Sequence, residues 1–423
     1  MKINVGLIPE DAVIAVALSG GRDSMALLHS LLSHNFTVKA ICVEHGIRGE
    51  VSKSECRGVK EYCESLKVEC RTFSVDALSY ARENKLTVEQ SARELRYRCF
   101  EEALNDGFCD CVATAHHADD NAETVLMRIF RGTGVKGLMG ISDRRDRYIR
   151  PLLDVTREEI DEYIKQNGIP YFEDETNECL DYTRNFIRHE LMERIKERYP
   201  SAVKAIRRLS LSSGRDEEYF DTLVGEKILP LDGAWGITLS DLSIPAVGER
   251  LIRRAFYNLG VTVDIEERHV EIVKSLVSAE NGVSFDMPYD TVCTREYDRI
   301  VVYKKQQKAD FEVELDAPDR SYQCGESTVI VRSADKRGEG LFVDYDKVSG
   351  AVFRLKREGD IFKRFGGGTK SLGDYLTDIK LPVRLRDSLI VLAKGNEVYA
   401  VVGVEISDKA RIDGFTTRIV EIR

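Results

Sequence analysis

Residues 19–24 read Ser-Gly-Gly-Arg-Asp-Ser, a set of groups suited to holding a pyrophosphate. Gly20 and Gly21 let the backbone approach an anion because no side chain stands in the way. Ser19 and Ser24 add hydroxyls. A carboxylate cannot favour a bare phosphate, so Asp23 is expected to hold a Mg2+ that bridges phosphate oxygens. The lysine of a GxxxxGK[ST] loop is missing, which argues against an ordinary P-loop nucleotide hydrolase. A second stretch, Thr114-Ala115-His116-His117-Ala118-Asp119-Asp120-Asn121-Ala122-Glu123-Thr124, gathers acids and imidazoles. Asp120 and Glu123 are three apart and share a helix face. They could bind Mg2+ or receive an ammonium group, while His116 and His117 could touch phosphate or move protons. An adjacent histidine pair without a distant third ligand fits zinc poorly, and Asp119 has a structural reading as a helix cap. Arg131, a candidate phosphate clamp, follows with Gly132, Gly134, Gly137 and Gly140, whose density marks a tight backbone path near a ligand or another chain.

Strand ends and helix starts must position these groups. The apolar run from Val13 reads as a strand entering the glycine turn, and the next helix points its free N–H groups and positive dipole end into the same space. Val38–Val43 reads as a second parallel strand ending at Glu44-His45-Gly46, 52–66 as a helix and Val68–Phe73 as a third strand. Thr87 can cap a helix from Val88 to about Asn105, and Cys111–Ala115 reads as a strand running into His116. Thr156, Glu158 and Glu159 open a helix that Asn167, Gly168 and Pro170 close. The alternation implies an α/β fold with a doubly wound parallel sheet. Ligands of such sheets sit beyond the carboxyl ends of the strands, so the three segments are expected to converge on one crevice.

An acidic loop at 171–183 precedes a basic stretch. Between Arg184 and Arg208 eight basic and three acidic residues leave a local charge of +5 in a chain whose net charge is −10. That stretch suits either a solvated helix face or an RNA track. The expected division is a catalytic domain at 1–205, a mainly helical middle domain with a hairpin at 206–320, and a small α+β domain at 321–423. The middle part shows amphipathic helices at 248–259 and 265–280 and strands near 291–296 and 299–304; the last part shows short strands at 328–332, 351–355, 398–406 and 415–422.

At 423 residues, with 43% apolar and 32% charged residues, the chain has material for two or three domains. No apolar run reaches the roughly 18 residues a membrane span requires, and the N-terminus lacks a secretory pattern. Its ten cysteines form no regular frame, and the pair Cys109 and Cys111 has no second pair at zinc spacing. A reduced, cytoplasmic setting is expected.

The turn SGGRDS resembles the PP-loop of the N-type ATP pyrophosphatases, which cleave ATP between the α and β phosphates. Downstream, TAHHADDNAETVLMRIFRGTGVKGLMGI closely resembles tRNA(Ile)-lysidine synthetases. VEHGIR at 43–48, EQSARELRYRCFEEAL at 89–104, the segments covering 149–191, and REGDIFKRFGGGTKSLGDYLTDIKLPVRLRDSLIVL at 357–392 extend the match over nearly the whole chain. Asn121 departs from the family's usual glutamine. Lys370-Ser371 stands where two basic residues are common, and the glycine turn before it lacks the usual proline.

The resemblance implies a ligase that adenylates O2 of the wobble cytidine in a CAU-anticodon tRNA(Ile), releasing pyrophosphate, and then attaches the ε-amine of L-lysine with loss of AMP. Codon reading would change from AUG to AUA. By matching positions, Ser19, Gly20, Gly21, Arg22, Asp23 and Ser24 would hold ATP and Mg2+, and His45, Gly46 and Arg48 would border the nucleotide. Asp120 and Glu123 would take the lysine amine or the metal, and His116, His117 and Arg131 would line the reaction centre. Arg93, Arg96, Asn185, Arg188 and Lys370 would contact substrate or tRNA, although a surface ion pair is an equal reading for Arg93 and Arg96. The resemblance leaves room for a homodimer, for which no residue argues.

Three rivals are distinguishable. A PP-loop tRNA thiolase needs accessible, activated thiolates in the crevice. A small-molecule amidating synthetase would not need the basic helices and the terminal module. A noncatalytic RNA-binding protein with a relic nucleotide site would not need Asp23, Asp120 and Glu123 intact.

Overall fold

The computed structural model describes residues 1–47, 49–172, 182–262, 265–305, 310–334, 340–414 and 416–423. Arg48 and most of the acidic loop therefore lie outside the described residues. The chain forms two compact units, Met1–Tyr219 and Phe220–Arg423.

The first unit holds β1 (Val13–Ala17), α1 (Arg22–Ser33), β2 (Thr37–Glu44), α2 (Glu50–Ser65), β3 (Cys70–Ser74), α3 (Ala77–Asn84), α4 (Val88–Asn105), β4 (Cys111–Ala113), α5 (Ala118–Phe130), α6 (Val135–Leu138), β5 (Arg144–Arg145), β6 (Tyr148–Ile149) and α7 (Arg157–Asn167). After the acidic loop come α8 (Tyr182–Phe186), a π-helical turn at Ile187–Leu191, α9 (Met192–Arg198) and α10 (Ala202–Lys227). The sheet order is β3-β2-β1-β4-β6-β5, parallel except for the antiparallel β5–β6 pair. β1 is central, and its residues feed two cores. Ile14 and Val16 pack with α1, α2 and α7, whereas Ala15 packs with Phe100 and Ala103 of α4. A strand buried on both faces explains the uninterrupted apolar run in the sequence. Burying each of Ile14 and Val16 contributes about 1.5–3 kcal/mol.

Capping works where the sequence suggests it. Thr87 accepts from Gln90 N while the Gln90 side chain accepts from Thr87 N, and Thr156 and Glu159 repeat the arrangement. Gly168 closes α7 in the left-handed region at φ +58°.

The second unit starts with β7 (Leu229–Leu231), β8 (Ala234–Thr238), α11 (Leu239–Leu242), α12 (Pro245–Asn258), α13 (Glu267–Ser275), β9 (Ser284–Met287), β10 (Thr291–Glu296) and β11 (Arg299–Lys304). The expected hairpin is β10–β11, now the centre of a five-stranded sheet ordered β7-β8-β11-β10-β9. The rest is sheet-rich, with one seven-stranded and one four-stranded sheet.

Both expected domain boundaries move. Position 205 falls inside α10, an unbroken helix that gives no compositional break, and the units part after Tyr219. Position 320 also falls too late, because Glu312–Glu314 already pairs with Val352–Leu355 of the terminal sheet. The middle and terminal parts form one compact unit, within which Arg384 Nε meets Glu296 Oε1 at 3.0 Å, both nearly buried.

Candidate active site

The glycine turn leaves β1 and enters α1. Ser24 Oγ donates to Gly21 O at 2.8 Å and lies 3.3 Å from Ser19 Oγ, which accepts from Gly21 N at 3.3 Å. Gly20 has φ +82°, and a Cβ there would stand 2.8 Å from both Val59 of α2 and the Phe172 ring. Glycine is required on both grounds. Asp23 sits in the first turn of α1, its Oδ1 buried without a hydrogen-bond partner among the described residues. Burial raises its carboxyl above the ordinary range, against the pull of His117 and Arg157. Arg22 turns aside to Asp161, 2.6 Å away, and stacks over Tyr171.

His117 opens α5. Its Nδ1 accepts from Asp119 N at 3.3 Å, so the proton of the neutral ring belongs on Nε2. That nitrogen lies 3.4 Å from Asp120 Oδ2 and 3.8 Å from Asp23 Oδ2. The glycine turn and the acidic helix start thus meet at one imidazole. Burial alone would lower the His117 pKa, but Asp120, Asp119 and Asp23 together hold it above the ordinary value. His116 behaves oppositely: burial pushes it down to about 4 despite Asp120, and Thr114 Oγ1 lies 2.9 Å from its Nδ1. At neutral pH His116 is uncharged.

Asp120 and Glu123 face two guanidinium groups. Arg184 donates to Glu123 Oε2 at 2.8 Å and to Asp120 Oδ1 at 3.2 Å. Arg188 donates to Glu123 Oε1 at 2.6 Å and Oε2 at 3.0 Å, and to Asp120 Oδ1 at 3.1 Å. Burial would raise the Asp120 pKa, but the flanking histidines and Arg184 bring it below its ordinary range. Asp119 serves structure: it accepts from Arg157 N at 2.9 Å and from Lys196 at 2.6 Å, tying α5 to α7 and α9.

At the end of β2, Gly46 has φ +69° and its N–H donates to Glu44 Oε1 at 2.7 Å. Arg96 Nε donates to His45 Nε2 at 3.3 Å, and His45 Nδ1 is buried without a partner among the described residues. Burial and Arg96 push His45 down to about 4. Arg93, from the same helix as Arg96, leans over the Tyr97 ring, and its charge helps lower His116.

One expected position stands elsewhere. Arg131 caps the far end of α5, exposed and roughly 16 Å along the axis from Asp120 at 1.5 Å per residue. Its expected place at the reaction centre is corrected, because it stands exposed at the opposite end of α5 from Asp120 and Glu123. Arg128 holds that segment, donating to Gly137 O at 3.0 Å and Gly140 O at 2.9 Å. Lys370 lies in the second unit and pairs with Asp378. Asn185 shares α8 with Arg184.

The basic stretch is largely engaged within its own unit. Besides Arg184 and Arg188, Lys196 reaches Asp119 and Glu158, Lys204 reaches Glu159, and Arg207 reaches Asp143 and Asp154. Arg194, Arg198 and Arg208 are exposed, with no ion pair among the described residues. Sequence reasoning missed Arg157, 3.6 Å from Asp23, and the role of Arg184. The signal for Arg157 was its place in the first turn of a capped helix; nothing local marked Arg184.

A divalent cation fits Asp23: it is a hard oxygen donor with one free oxygen beside the turn. No group of three metal-ligating side chains occurs among the described residues. Cys109 and Cys111 are buried with thiols pushed up to about 11, and Cys111 opens β4 at the end opposite the crevice. Sulfur delivery would need the reverse.

Comparison with known proteins agrees with this geometry. A PP-loop domain model matches residues 4–195, and a TilS substrate C-terminal domain model matches 352–421. The tRNA(Ile)-lysidine synthase of Caldanaerobacter subterraneus subsp. tengcongensis is 31% identical over 98% of this chain and 94% of its own length. That of Clostridium acetobutylicum is 32% identical over 99% and 96%, and that of Bacillus subtilis 30% identical over 94% and 90%. Among solved structures, a TilS C-terminal domain covers 27% of this chain and 97% of that one, at 20% identity and a TM-score of 0.24.

Proposed function

The chain belongs to the tRNA(Ile)-lysidine synthases, ATP-using ligases that form a carbon–nitrogen bond on tRNA, and we propose a two-step reaction for it in the crevice shared by the glycine turn and α5. In the first step O2 of the wobble cytidine in a CAU anticodon attacks the α-phosphorus of ATP, and pyrophosphate leaves over Ser19–Ser24. In the second, the ε-amine of L-lysine attacks C2 and AMP departs. The product reads AUA in place of AUG.

The observation that carries this reading is the single imidazole of His117 between Asp23 and Asp120, 3.8 Å and 3.4 Å away. It puts the candidate phosphate cradle within one side chain of the candidate amine site. Mg2+, held by Asp23, would neutralise charge developing on the phosphates. Ser19, Ser24 and the first N–H groups of α1 orient the departing phosphates. The Nε2–H of His117 is a donor toward the same oxygens. Asp120 and Glu123 hold the lysine ammonium, releasing their guanidinium partners in exchange. His116, neutral at physiological pH, has a free lone pair for a proton. Arg194, Arg198 and Arg208 supply phosphate contacts to the tRNA, which gives binding its salt dependence.

The test separates the steps. The protein is incubated with ATP, Mg2+, labelled lysine and CAU-anticodon tRNA, and pyrophosphate, AMP and labelled tRNA are followed. The wild type is expected to yield all three. Asp23→Asn should lose pyrophosphate release, whereas Glu123→Gln should keep it and lose lysine transfer. Transfer surviving in Glu123→Gln, or label entering from a sulfur donor, would sink this assignment.

A further inference from the structure

One group of cations at the crevice has no acids to match. α4 runs against the direction of the strands. Near its end, Leu104 O accepts from Arg147, which precedes β6, at 3.0 Å, while Arg96 nearer its start reaches His45 beyond β2. The first turns of α4 therefore stand over the carboxyl edge of the sheet. The Tyr97 ring of α4 meets Tyr148 of β6, centroids 5.2 Å apart. Arg93 lies one helical turn before Tyr97, about 6 Å nearer the carboxyl edge, and leans over its ring at 5.1 Å. Arg150 lies two residues after Tyr148, about 7 Å nearer the same edge. Tyr148 packs with Phe100 of α4, whereas Ile149 packs in the cluster of α1. Alternation along the strand returns Arg150 to the α4 side. Two guanidinium groups thus stand at one level above one pair of rings.

Arg150 is 7% exposed. Its Nη1 donates to Ser142 O at 2.8 Å, and its Nε is buried without a partner among the described residues. Arg93 and Arg96 are exposed. Among the described residues none of these three arginines is in an ion pair. Across the crevice Arg184 and Arg188 are paired, and they occupy Asp120 and Glu123. Like charges gathered without an acid repel one another, and a buried charge without a partner is costly. An incoming anion relieves both. His116 feels the same field: burial lowers its pKa most, and Arg150 and Arg93 add to the fall.

We propose that Arg93, Arg96 and Arg150 form a phosphate seat for the RNA backbone, with buried Arg150 as its fixed base and the two exposed arginines as its rim. The guanidinium fork suits phosphate oxygens. Three cations exceed the single charge of a lysine carboxylate, and an exposed rim admits a long polyanion. The departing phosphates of ATP have their own cradle at Ser19–Ser24. The seat holds a phosphodiester beside the wobble nucleotide, so that the cytosine enters the crevice from the α4 side. This assignment rests on the reading of the crevice as the place where tRNA reacts.

The test measures binding of CAU-anticodon tRNA to the full-length protein by fluorescence anisotropy, from about 50 to 200 mM salt. Arg93→Gln and Arg150→Gln should each weaken binding several-fold and lower the slope of log affinity against log salt by about 1. Arg150→Lys, which keeps the charge, should restore the slope; a residue that only braced Ser142 would leave the slope unmoved in Arg150→Gln. Binding of a fluorescent ATP analogue and the KM for lysine should stay as in the wild type. Should Arg150→Gln fail to fold, Arg93→Gln at the surface decides. Unchanged slopes overturn the seat, and so does a loss confined to ATP or to lysine, which would hand the anion to that substrate. Unchanged slopes beside normal lysine transfer sink the seat alone. A wild type that binds tRNA without transferring lysine sinks the two-step reaction, and the slopes still decide the seat. A wild type that binds no tRNA overturns both.

Discussion

The glycine turn and the start of α5 lie side by side, yet they satisfy their polar groups in opposite ways. Around the turn, space and partners are withheld. Gly20 has no room for a side chain, and Asp23 Oδ1 is buried with nothing bonded to it among the described residues. Around α5, the charges are matched: Asp119 by Lys196, Asp120 and Glu123 by Arg184 and Arg188. An unsatisfied buried carboxylate oxygen costs stability, so its presence beside a tight turn points to a ligand that completes it. A saturated network points to a site whose internal cations must give way to a substrate cation.

Breaking the turn should cost most. Gly20→Ala combines left-handed backbone strain of about 1–2 kcal/mol with overpacking of about 1–3 kcal/mol against Val59 and Phe172. A marked fall in melting temperature and loss of nucleotide binding are expected; an unchanged melt would mean that α2 does not press on the turn. Asp23→Asn should reduce pyrophosphate release by on the order of 100-fold. Because burial raises the pKa of this group, its charge opposes folding at neutral pH, and urea denaturation should show the variant no less stable than the wild type. Asp119→Ala should do the reverse, losing about 2 kcal/mol of stability through its orphaned partners.

The pH dependence sharpens the contrast. His116 titrates near 4 in the fold against an ordinary 6.5. Between those values the unfolded chain binds the proton and the folded chain does not, so stability is present above pH 6.5 and declines as pH falls toward 4. Urea midpoints at pH 7 and pH 4.5 should differ less in His116→Gln than in the wild type. The smallest structural effect belongs to Arg194, Arg198 and Arg208. Changing all three to glutamate should shift stability by under about 0.5 kcal/mol each, yet weaken tRNA binding and flatten its dependence on salt.

Much of the first unit was readable because its signals are local. The strand–turn–helix at 13–33, the capping residues Thr87 and Thr156, and the glycine stop at 168 each sit within a few residues of the feature they mark. The pairing of Asp120 and Glu123 with Arg184 and Arg188 was not readable, since 61–68 residues separate the partners. The +5 stretch looked like a candidate RNA track, but five of its eight cations neutralise acids from α5, α7 and their connecting loops. β8 escaped notice because Ala234–Thr238 is short and carries a glycine. The boundary near 205 was misplaced because α10 keeps its helical period across it.

Asn121 ties α5 to the segment after α6 and to α10. Its Oδ1 accepts from Ile141 N at 2.8 Å, its Nδ2 donates to Ser210 at 3.1 Å, and Oδ1 fills the place of a Gly140 Cβ. The amide therefore works as a ruler: its reach sets how near the glycine-rich segment can settle against α5. One more methylene would need a longer gap there, so substitutions at 121 and 140 can only be exchanged as a matched set.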